Sequence, residues 1–148
     1  MQKLTIMVDT LRTVLWTPPP NPLPEGEKAR RKPGPVYDLA AVQSLAKGDQ
    51  IFVVTDRCET DLEDLEWDVD DVAKLITTLE TGDYDASEWC KGSNGIVIDA
   101  DTYTVRYDHI EKCRGTSIHP IYYIKFGFRN NDPRLIIFLF SCHLSRTL

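Results

Sequence analysis

The sequence predicts an α+β fold in which N-terminal helices pack on a C-terminal antiparallel β-sheet. Three observations predict it. Amphipathic helical patterns come first, and three runs rich in β-branched and aromatic residues follow them. The turn-forming tetrapeptide NNDP, residues 130–133, separates the last two of these runs. A length of 148 residues corresponds to one domain.

Composition and termini limit the class of protein. The chain is 42% hydrophobic and 27% charged, which is typical of a soluble folded protein. No apolar run reaches about 18 residues, so we expect no transmembrane helix and no membrane partner. The N-terminus lacks the order of a signal peptide, and four cysteines are too few for a disulfide scaffold. We therefore expect a cytoplasmic protein, and the sequence leaves its oligomeric state open.

Residues 1–35 are predicted to form an N-terminal arm with a Pro-rich linker, and residues 36–148 the folded domain. The stretch 17–35, TPPPNPLPEGEKARRKPGP, holds seven of the nine prolines and has no apolar periodicity. Such a composition indicates an extended polar linker. The preceding residues, LTIMVDTLRTVLW, fit a short helix or a strand equally well.

The helical half of the domain opens at residues 37–48, where Asp38 is a candidate N-cap and Gly48 a stop. The short run at 50–55 is predicted as a strand, and 59–66 as a brief helix. Asp68 then caps the helix VDDVAKLITTLE. Its apolar side chains recur at helical spacing: Val69, Val72, Leu75, Ile76 and Leu79.

Three strands follow, at 96–107, 121–129 and 134–144. Side chains alternate between the faces of a strand, so the even positions of the last two runs are expected to face the core. One register that matches core to core pairs Phe126 with Phe138 and Tyr123 with Ser141. His143 then lies diagonal to Tyr123, at about 7–8 Å between backbones.

The other face of this sheet is predicted to be cationic. It collects a tyrosine, a lysine, two arginines and a histidine without a carboxylate: Arg106, Tyr123, Lys125, Arg129 and His143. A polar outer face is ordinary for an antiparallel sheet, but the lack of a carboxylate is unusual in a chain of net charge −6. The acidity is local, because residues 35–90 carry −12 while residues 1–34 and 91–148 carry +3 each. The net charge therefore does not exclude RNA as a partner.

This face has the groups that RNA cleavage requires. RNA carries its own nucleophile, the 2′-hydroxyl, so we expect neither a metal nor another cofactor. Imidazole titrates near neutral pH, so His143 is a candidate base or acid. Lys125 and Arg106 are candidates for stabilising the phosphate, and Tyr123 for donating a proton or stacking on a base. Three further arginines are predicted to bind RNA: Arg129, Arg134 and Arg114.

Other chemistries find less support in the sequence. It contains no CxxC, HExxH, P-loop or GxGxxG motif. Cys142 falls on the predicted core face, so a nucleophilic pair with His143 is not expected. A metal-dependent hydrolase built on Asp99, Asp101 and His109 is a remaining alternative. The two aspartates share a strand face, and they more simply charge an edge strand.

The order of segments resembles the MqsR-like toxins of bacterial type II toxin–antitoxin systems, which are mRNA interferases of the RelE-like structural class. The similarity covers about residues 37–143. YDLAAVQSLAKG is similar to the opening K-P-x-Y-D-L helix of the family, VVTDR to its I-T-R-S, and LEWDVDDVAKLITTLETGDY to its long helix and D-F. DADTYTVRY stands at W-Q-D-V-Y, YYIKF at L-Y-V-K-F, and IFLFSCH at V-L-L-S-F-K.

The resemblance implies a RelE-like or MqsR-like architecture, endoribonuclease activity and a cognate antitoxin. It places Tyr123 and Lys125 at the tyrosine and lysine of L-Y-V-K-F, and His143 at the family's C-terminal lysine. Two positions depart from the pattern, because Ala86 replaces a lysine and Ala100 a glutamine. The alternative is therefore a catalytically lapsed relative that binds RNA or protein. The segment HIEKCRGTSIHP is longer than the corresponding connection in the family, and it could supply Arg114 or His119 to the site.

Overall fold

A computed structural model describes residues 11–130 and 132–145 of the chain. Most of the segment that fits a helix or a strand equally well, and one residue of the NNDP turn, lie outside the described residues. The described part contains three α-helices: α1 (Leu39–Leu45), α2 (Asp56–Leu65) and α3 (Val69–Thr78). It also contains seven strands: β1 (Arg31–Lys32), β2 (Ile51–Val53), β3 (Tyr84–Lys91), β4 (Val97–Asp108), β5 (Cys113–Arg114), β6 (Ile121–Gly127) and β7 (Ile137–Leu144).

The strands form one sheet in the order β1-β3-β4-β6-β7-β2, and β5 pairs with β4. The α+β class is thereby confirmed. The prediction of an antiparallel sheet is wrong at one edge, because β2 pairs with β7 in the parallel direction. A three-residue apolar run such as IFV fits a strand, but it carries no information about the partner or its direction. Of the helices that the structure describes, none is long and apolar enough to cross a membrane.

Side-chain caps set where the helices begin. Asp38 accepts a hydrogen bond from the Ala41 amide, as predicted, and Asp68 forms a reciprocal capping box with Asp71. Helix α2 begins three residues earlier than predicted because Thr55 caps it, accepting from the Cys58 amide. These caps satisfy amides that the first turn of a helix leaves without partners.

Strand β3 was not predicted. Its sequence, YDASEWCK, has no apolar alternation, yet it pairs with β4 along its whole length and with β1 on its other side. Its polar residues Ser87 and Glu88 are buried and bind partners far away in sequence. Local pattern therefore gave no signal for this strand.

The sheet separates two apolar clusters. The larger one lies between the sheet and the helices, and we call that side the helix face. There the even positions of β6, Tyr122, Ile124 and Phe126, are buried as predicted. The smaller cluster lies on the opposite side, the second face, and contains Val54, Cys90, Ile98, Ala100, Phe138 and Phe140.

A register shift in β7 corrects the predicted pairing. Lys125 lies opposite Ser141 whereas Phe126 lies opposite Leu139, so Phe140 is an additional residue on β7. Before this bulge the odd positions face the main core, and Leu139 is fully buried there. Of the even positions predicted to face the core, Cys142 faces the main core, whereas Phe138 and Phe140 are buried as predicted but in the smaller cluster on the second face. The core assignment is wrong at Leu144, which is exposed.

Two buried aspartates bind the N-terminal segment to the sheet. Asp99 accepts two hydrogen bonds of 2.9 Å from the Arg12 guanidinium and one of 2.8 Å from Lys32 Nζ. Burial alone would raise the pKa of Asp99, but these two cations lower it below its ordinary value. The expected edge-strand role is wrong, because β4 lies between β3 and β6.

Asp101 binds backbone at the start of the domain. Its carboxylate accepts hydrogen bonds from the amides of Val36 and Tyr37 and from Ser87 Oγ. Burial raises the pKa of Asp101 despite these donors. Part of the stretch predicted as a linker therefore belongs to the sheet. Arg31 and Lys32 form β1, and Lys32 also contacts Asp99 on β4.

Candidate functional site

Tyr123 and His143 lie directly opposite each other on β6 and β7. Their rings stack with centroids 5.0 Å apart and an angle of 11° between the planes. The prediction brought these two residues together but placed them on a diagonal, because its register is one residue off near the turn, where Gly127 lies opposite Phe138, and one more residue off after the bulge at Phe140. His143 Nδ1 lies 2.7 Å from the Leu144 carbonyl oxygen, to which it donates. In the neutral imidazole this hydrogen bond requires the proton on Nδ1, which leaves the lone pair on Nε2.

The stacked pair forms part of the wall of a cleft of about 360 Å³. The N-terminal end of α2 forms the opposite wall, and the Thr55 hydroxyl holds it against β7 by donating to the Phe140 carbonyl oxygen at 3.0 Å. The residues that line the cleft are mostly polar: Glu27, Thr55, Arg57, Cys58, Asp61, Tyr123, Phe140, Ser141, His143 and Ser145.

Arg57 is the cation of this cleft that sequence reasoning missed. Its side chain is exposed in the first turn of α2, and it makes no hydrogen bond or ion pair with any residue that the structure describes. The signal was present in VVTDR, where the resemblance to the family motif gave no role to the arginine. A guanidinium at this position offers several parallel donors to a phosphate.

Lys125 lies behind the stacked pair and is buried. Its Nζ is 2.7 Å from Glu88 Oε1, 3.6 Å from Glu27 Oε1 and 5.6 Å from the Tyr123 ring centroid. Burial disfavours the ammonium form, but the neighbouring Cys90 and Glu88 raise the pKa of Lys125 above its ordinary value. Lys125 is therefore a permanent, ion-paired cation. The prediction of a face without carboxylates is wrong, since Glu88 comes from the unpredicted strand β3.

The positions of the two family departures lie on the same face as Lys125. Ala86 is opposite Thr102 on β4, which in turn is opposite Lys125 on β6. Ala100 is fully buried in the second apolar cluster. Thr102 Oγ1 is buried and forms no hydrogen bond within the described structure.

Three predicted arginines are engaged elsewhere. Arg106 shares a face with Tyr123, but its guanidinium donates to the His119 carbonyl oxygen at 2.8 Å. Arg114 forms an ion pair of 2.6 Å with Asp83 and also contacts the end of α3. Arg134 forms an ion pair of 2.7 Å with Asp132. The structure thus does not bring these three arginines to the cleft.

Arg129 remains exposed just beyond the end of β6. Its guanidinium makes no hydrogen bond or ion pair with the residues in 11–130 and 132–145. It lines a second cleft, separate from the one at Tyr123 and His143.

The residues of the hydrolase alternative are not brought together. Asp99 and Asp101 are engaged by the N-terminal segment, whereas His109 follows the far end of β4 and stacks on Trp67 at 4.7 Å. Within the described ranges no three His, Cys, Asp or Glu side chains are grouped so that they could hold a metal ion.

The cysteines near the cleft are buried thiols. Burial raises the pKa of Cys58 to about 12, so this thiol is protonated at neutral pH. Cys142 is buried on the helix face while the neighbouring His143 lines the cleft, as the strand parity predicted.

Comparison with models of protein families, with curated proteins and with solved structures gives no match for this chain.

Proposed function

We propose that the cleft binds single-stranded RNA and cleaves it without a metal, by attack of the RNA 2′-hydroxyl on the adjacent phosphate. The observation that carries the proposal is the Tyr123–His143 pair, stacked at 5.0 Å on one wall of a polar cleft. The same cleft contains Arg57, whose side chain has no ion-pair partner among the residues that the structure describes. A general base, a proton donor and a cation for the phosphate are thus present in one cavity.

Each group has a role that balances the reaction. His143 Nε2 takes the proton of the 2′-hydroxyl as the 2′-oxygen attacks phosphorus, and the bond from phosphorus to the 5′-oxygen breaks. The Tyr123 hydroxyl gives its proton to the leaving 5′-oxygen and regains one from solvent, while His143 Nε2 releases its proton to solvent. Arg57 stabilises the charge on the phosphate oxygens. The products are a 2′,3′-cyclic phosphate and a 5′-hydroxyl.

The resemblance supplies the biological context of this proposal. We propose a cytoplasmic toxin of RelE-like or MqsR-like architecture, whose activity a cognate antitoxin neutralises. In this assignment Tyr123, Lys125 and His143 take the positions of the family's motif residues. Lys125 supports the site from behind through its ion pair with Glu88, and Arg57 replaces the cation lost at Ala86.

A second candidate function is RNA or protein binding without cleavage. The charge of the cleft favours it, because Glu88 neutralises Lys125 while Glu27 and Asp61 add carboxylates to the lining. Negative charge near a phosphate weakens both binding and transition-state stabilisation. Product analysis separates the two candidates, since only the enzyme changes its RNA.

The test is incubation of purified protein with RNA at low salt in the presence of a chelator. We expect fragments that end in a 2′,3′-cyclic phosphate. His143→Ala and Tyr123→Ala are each expected to lower the rate about 100-fold or more, since a positioned acid or base contributes about that factor. His109→Ala is the matched control, because this histidine lies away from the cleft and stacks on Trp67.

Two results would contradict the proposal. RNA that stays intact with the wild-type chain refutes the enzyme and leaves the binder. Cleavage that persists unchanged in the His143→Ala and Tyr123→Ala variants places the activity elsewhere. Circular dichroism and thermal unfolding of each variant verify that a lost activity is not a lost fold.

A further inference from the structure

A second cleft, of about 380 Å³, lies at the other end of the second face. Its lining combines one exposed aromatic ring, three aliphatic side chains and two polar groups: Trp16, Ile96, Val97, Ile98, Arg129 and Asn130. Ile98 belongs to the second apolar cluster, Ile96 packs against it, and Phe140 of the same cluster borders the first cleft. The two clefts therefore flank the same cluster on one face of the sheet.

Trp16 is the unusual residue of this cleft. It is 40% exposed, whereas Trp67 and Trp89 are each 6% exposed. Its neighbour Leu15 is 90% exposed, so the segment presents apolar surface to solvent. A large aromatic ring at the mouth of a cavity offers a flat surface on which a planar ligand can stack.

Arg129 adds a positive charge to the cleft. Its guanidinium makes no hydrogen bond or ion pair within the described ranges, although its charge, like that of the closer Arg134, lowers the pKa of Asp132. Asn130 adds an amide, which can both donate and accept hydrogen bonds. A ligand that fits these groups has a flat ring, polar edges and a negative charge.

We propose that this cleft is a subsite for a nucleobase of single-stranded RNA, which stacks on Trp16 while a neighbouring phosphate binds Arg129. The inference rests on the proposed function and adds to it the class of ligand beyond the scissile bond. Arg129 follows Tyr123 by six residues, the first four in β6 and the last two beyond its end, so the two residues lie at most about 20 Å apart. An RNA strand that crosses the second face can therefore reach both clefts.

The charge of the cleft favours RNA over an apolar peptide segment. A peptide side chain such as leucine would contact Ile96 and Ile98 but would offer no charged group to Arg129. A nucleotide can stack its base on the Trp16 ring and place its phosphate beside Arg129. A protein that occupies this cleft is the competing outcome of the experiment below.

The experiment uses a fluorescein-labelled DNA oligonucleotide of about 12 nucleotides, which lacks the 2′-hydroxyl and cannot be cleaved by the proposed route. Anisotropy measures binding to the full chain, and tryptophan emission measures stacking, because Trp16 is the exposed tryptophan of the three. We expect saturation to quench the Trp16 emission. Trp16→Ala should weaken binding about tenfold, and Arg129→Gln should weaken it and flatten its salt dependence. Arg31→Gln is the matched control, because Arg31 is an exposed arginine on β1 that does not line this cleft.

The outcomes separate this inference from the proposed function. Binding by anisotropy without quenching, and with equal affinity in Trp16→Ala, overturns the subsite and leaves the cleavage proposal intact. Quenching and weakened binding of Trp16→Ala support the subsite even if no RNA is cleaved. No binding of the oligonucleotide overturns the subsite. The subsite is also overturned if only a co-expressed partner protein changes the Trp16 emission.

Discussion

Replacing Asp99 with asparagine tests how the N-terminal segment is held on the sheet. The carboxylate is fully buried, and the side chains of Arg12 and Lys32 that bind it are only 7% and 10% exposed. Asparagine keeps the shape of the side chain but removes its charge, so both cations lose their counter-charge. Removing one partner of a buried ion pair costs about 3–5 kcal/mol, and we expect a loss of free energy of unfolding in this range.

Release of the N-terminal segment from the sheet can reduce this loss of stability. Arg12 and Lys32 both belong to the N-terminal segment, which can leave the sheet and return the two cations to water. That release exposes Leu11, which is buried, at a cost of about 1.5–3 kcal/mol, and breaks the pairing of β1 with β3. The measured loss should therefore lie near the lower end of the range, with the segment between 12 and 35 more susceptible to protease.

Urea titration followed by tryptophan fluorescence and by circular dichroism measures this effect. Asp85→Asn is the matched control, because Asp85 is exposed on β3 and its replacement should change stability by less than about 0.5 kcal/mol. An Asp99→Asn variant that is as stable as this control, with an N-terminal segment equally resistant to protease, would show that Asp99 does not hold this segment on the sheet.

The pH dependence of the free energy of unfolding is a second measurement of the role of Asp99. The pKa of Asp99 is lowered in the folded state, so its contribution is complete above the ordinary value of 3.8 and is lost as the pH falls through the lowered pKa. Asp101 acts in the opposite direction, since its pKa is raised and its contribution is lost as the pH rises through that value. Below about pH 4, wild type should lose more stability than Asp99→Asn.

The remaining predictions concern the charges around the cleft. Glu88→Gln leaves Lys125 buried with only the more distant Glu27, and we expect a loss of about 3 kcal/mol in thermal or urea unfolding; equal stability of wild type and variant would contradict the ion pair. Glu27→Gln removes a carboxylate that is 66% exposed, so stability should change little. The RNA affinity of Glu27→Gln, measured by anisotropy, should rise up to about fivefold, because one repulsive charge near a phosphate contributes about 1 kcal/mol. An unchanged affinity would show that RNA does not approach Glu27.

Local pattern was sufficient for much of the fold. The apolar stripe and the capping aspartate predicted α3, and alternation predicted which side of β6 faces the core. Tyr123 and His143 were brought together for the same reason, because two neighbouring antiparallel strands with known parity leave few registers. The order of these elements along the chain was enough for the α+β class.

Non-local contacts account for what could not be predicted. Arg12 and Lys32 bind an aspartate 87 and 67 residues away, so the N-terminal segment had the composition of a free linker although part of it pairs with the sheet. Strand β3 is stabilised by buried polar partners rather than by alternation, and Glu88 was missed with it. One additional residue at Phe140 reversed the parity of half of β7, which no local feature of IIFLFSCH indicates.

Arg57 decides between cleavage and simple binding. Since Glu88 neutralises Lys125, Arg57 is the cation of the cleft without a partner among the described residues. If the site stabilises a transition state, Arg57→Gln should reduce the rate of RNA cleavage about 100-fold or more, because charge that develops on the phosphate is stabilised by fixed donors. If the cleft only binds, the same change should weaken affinity by no more than about fivefold. Arg31→Gln, an exposed arginine on β1, is the control for loss of net charge, and an effect as large as that of Arg57→Gln would refute a specific role.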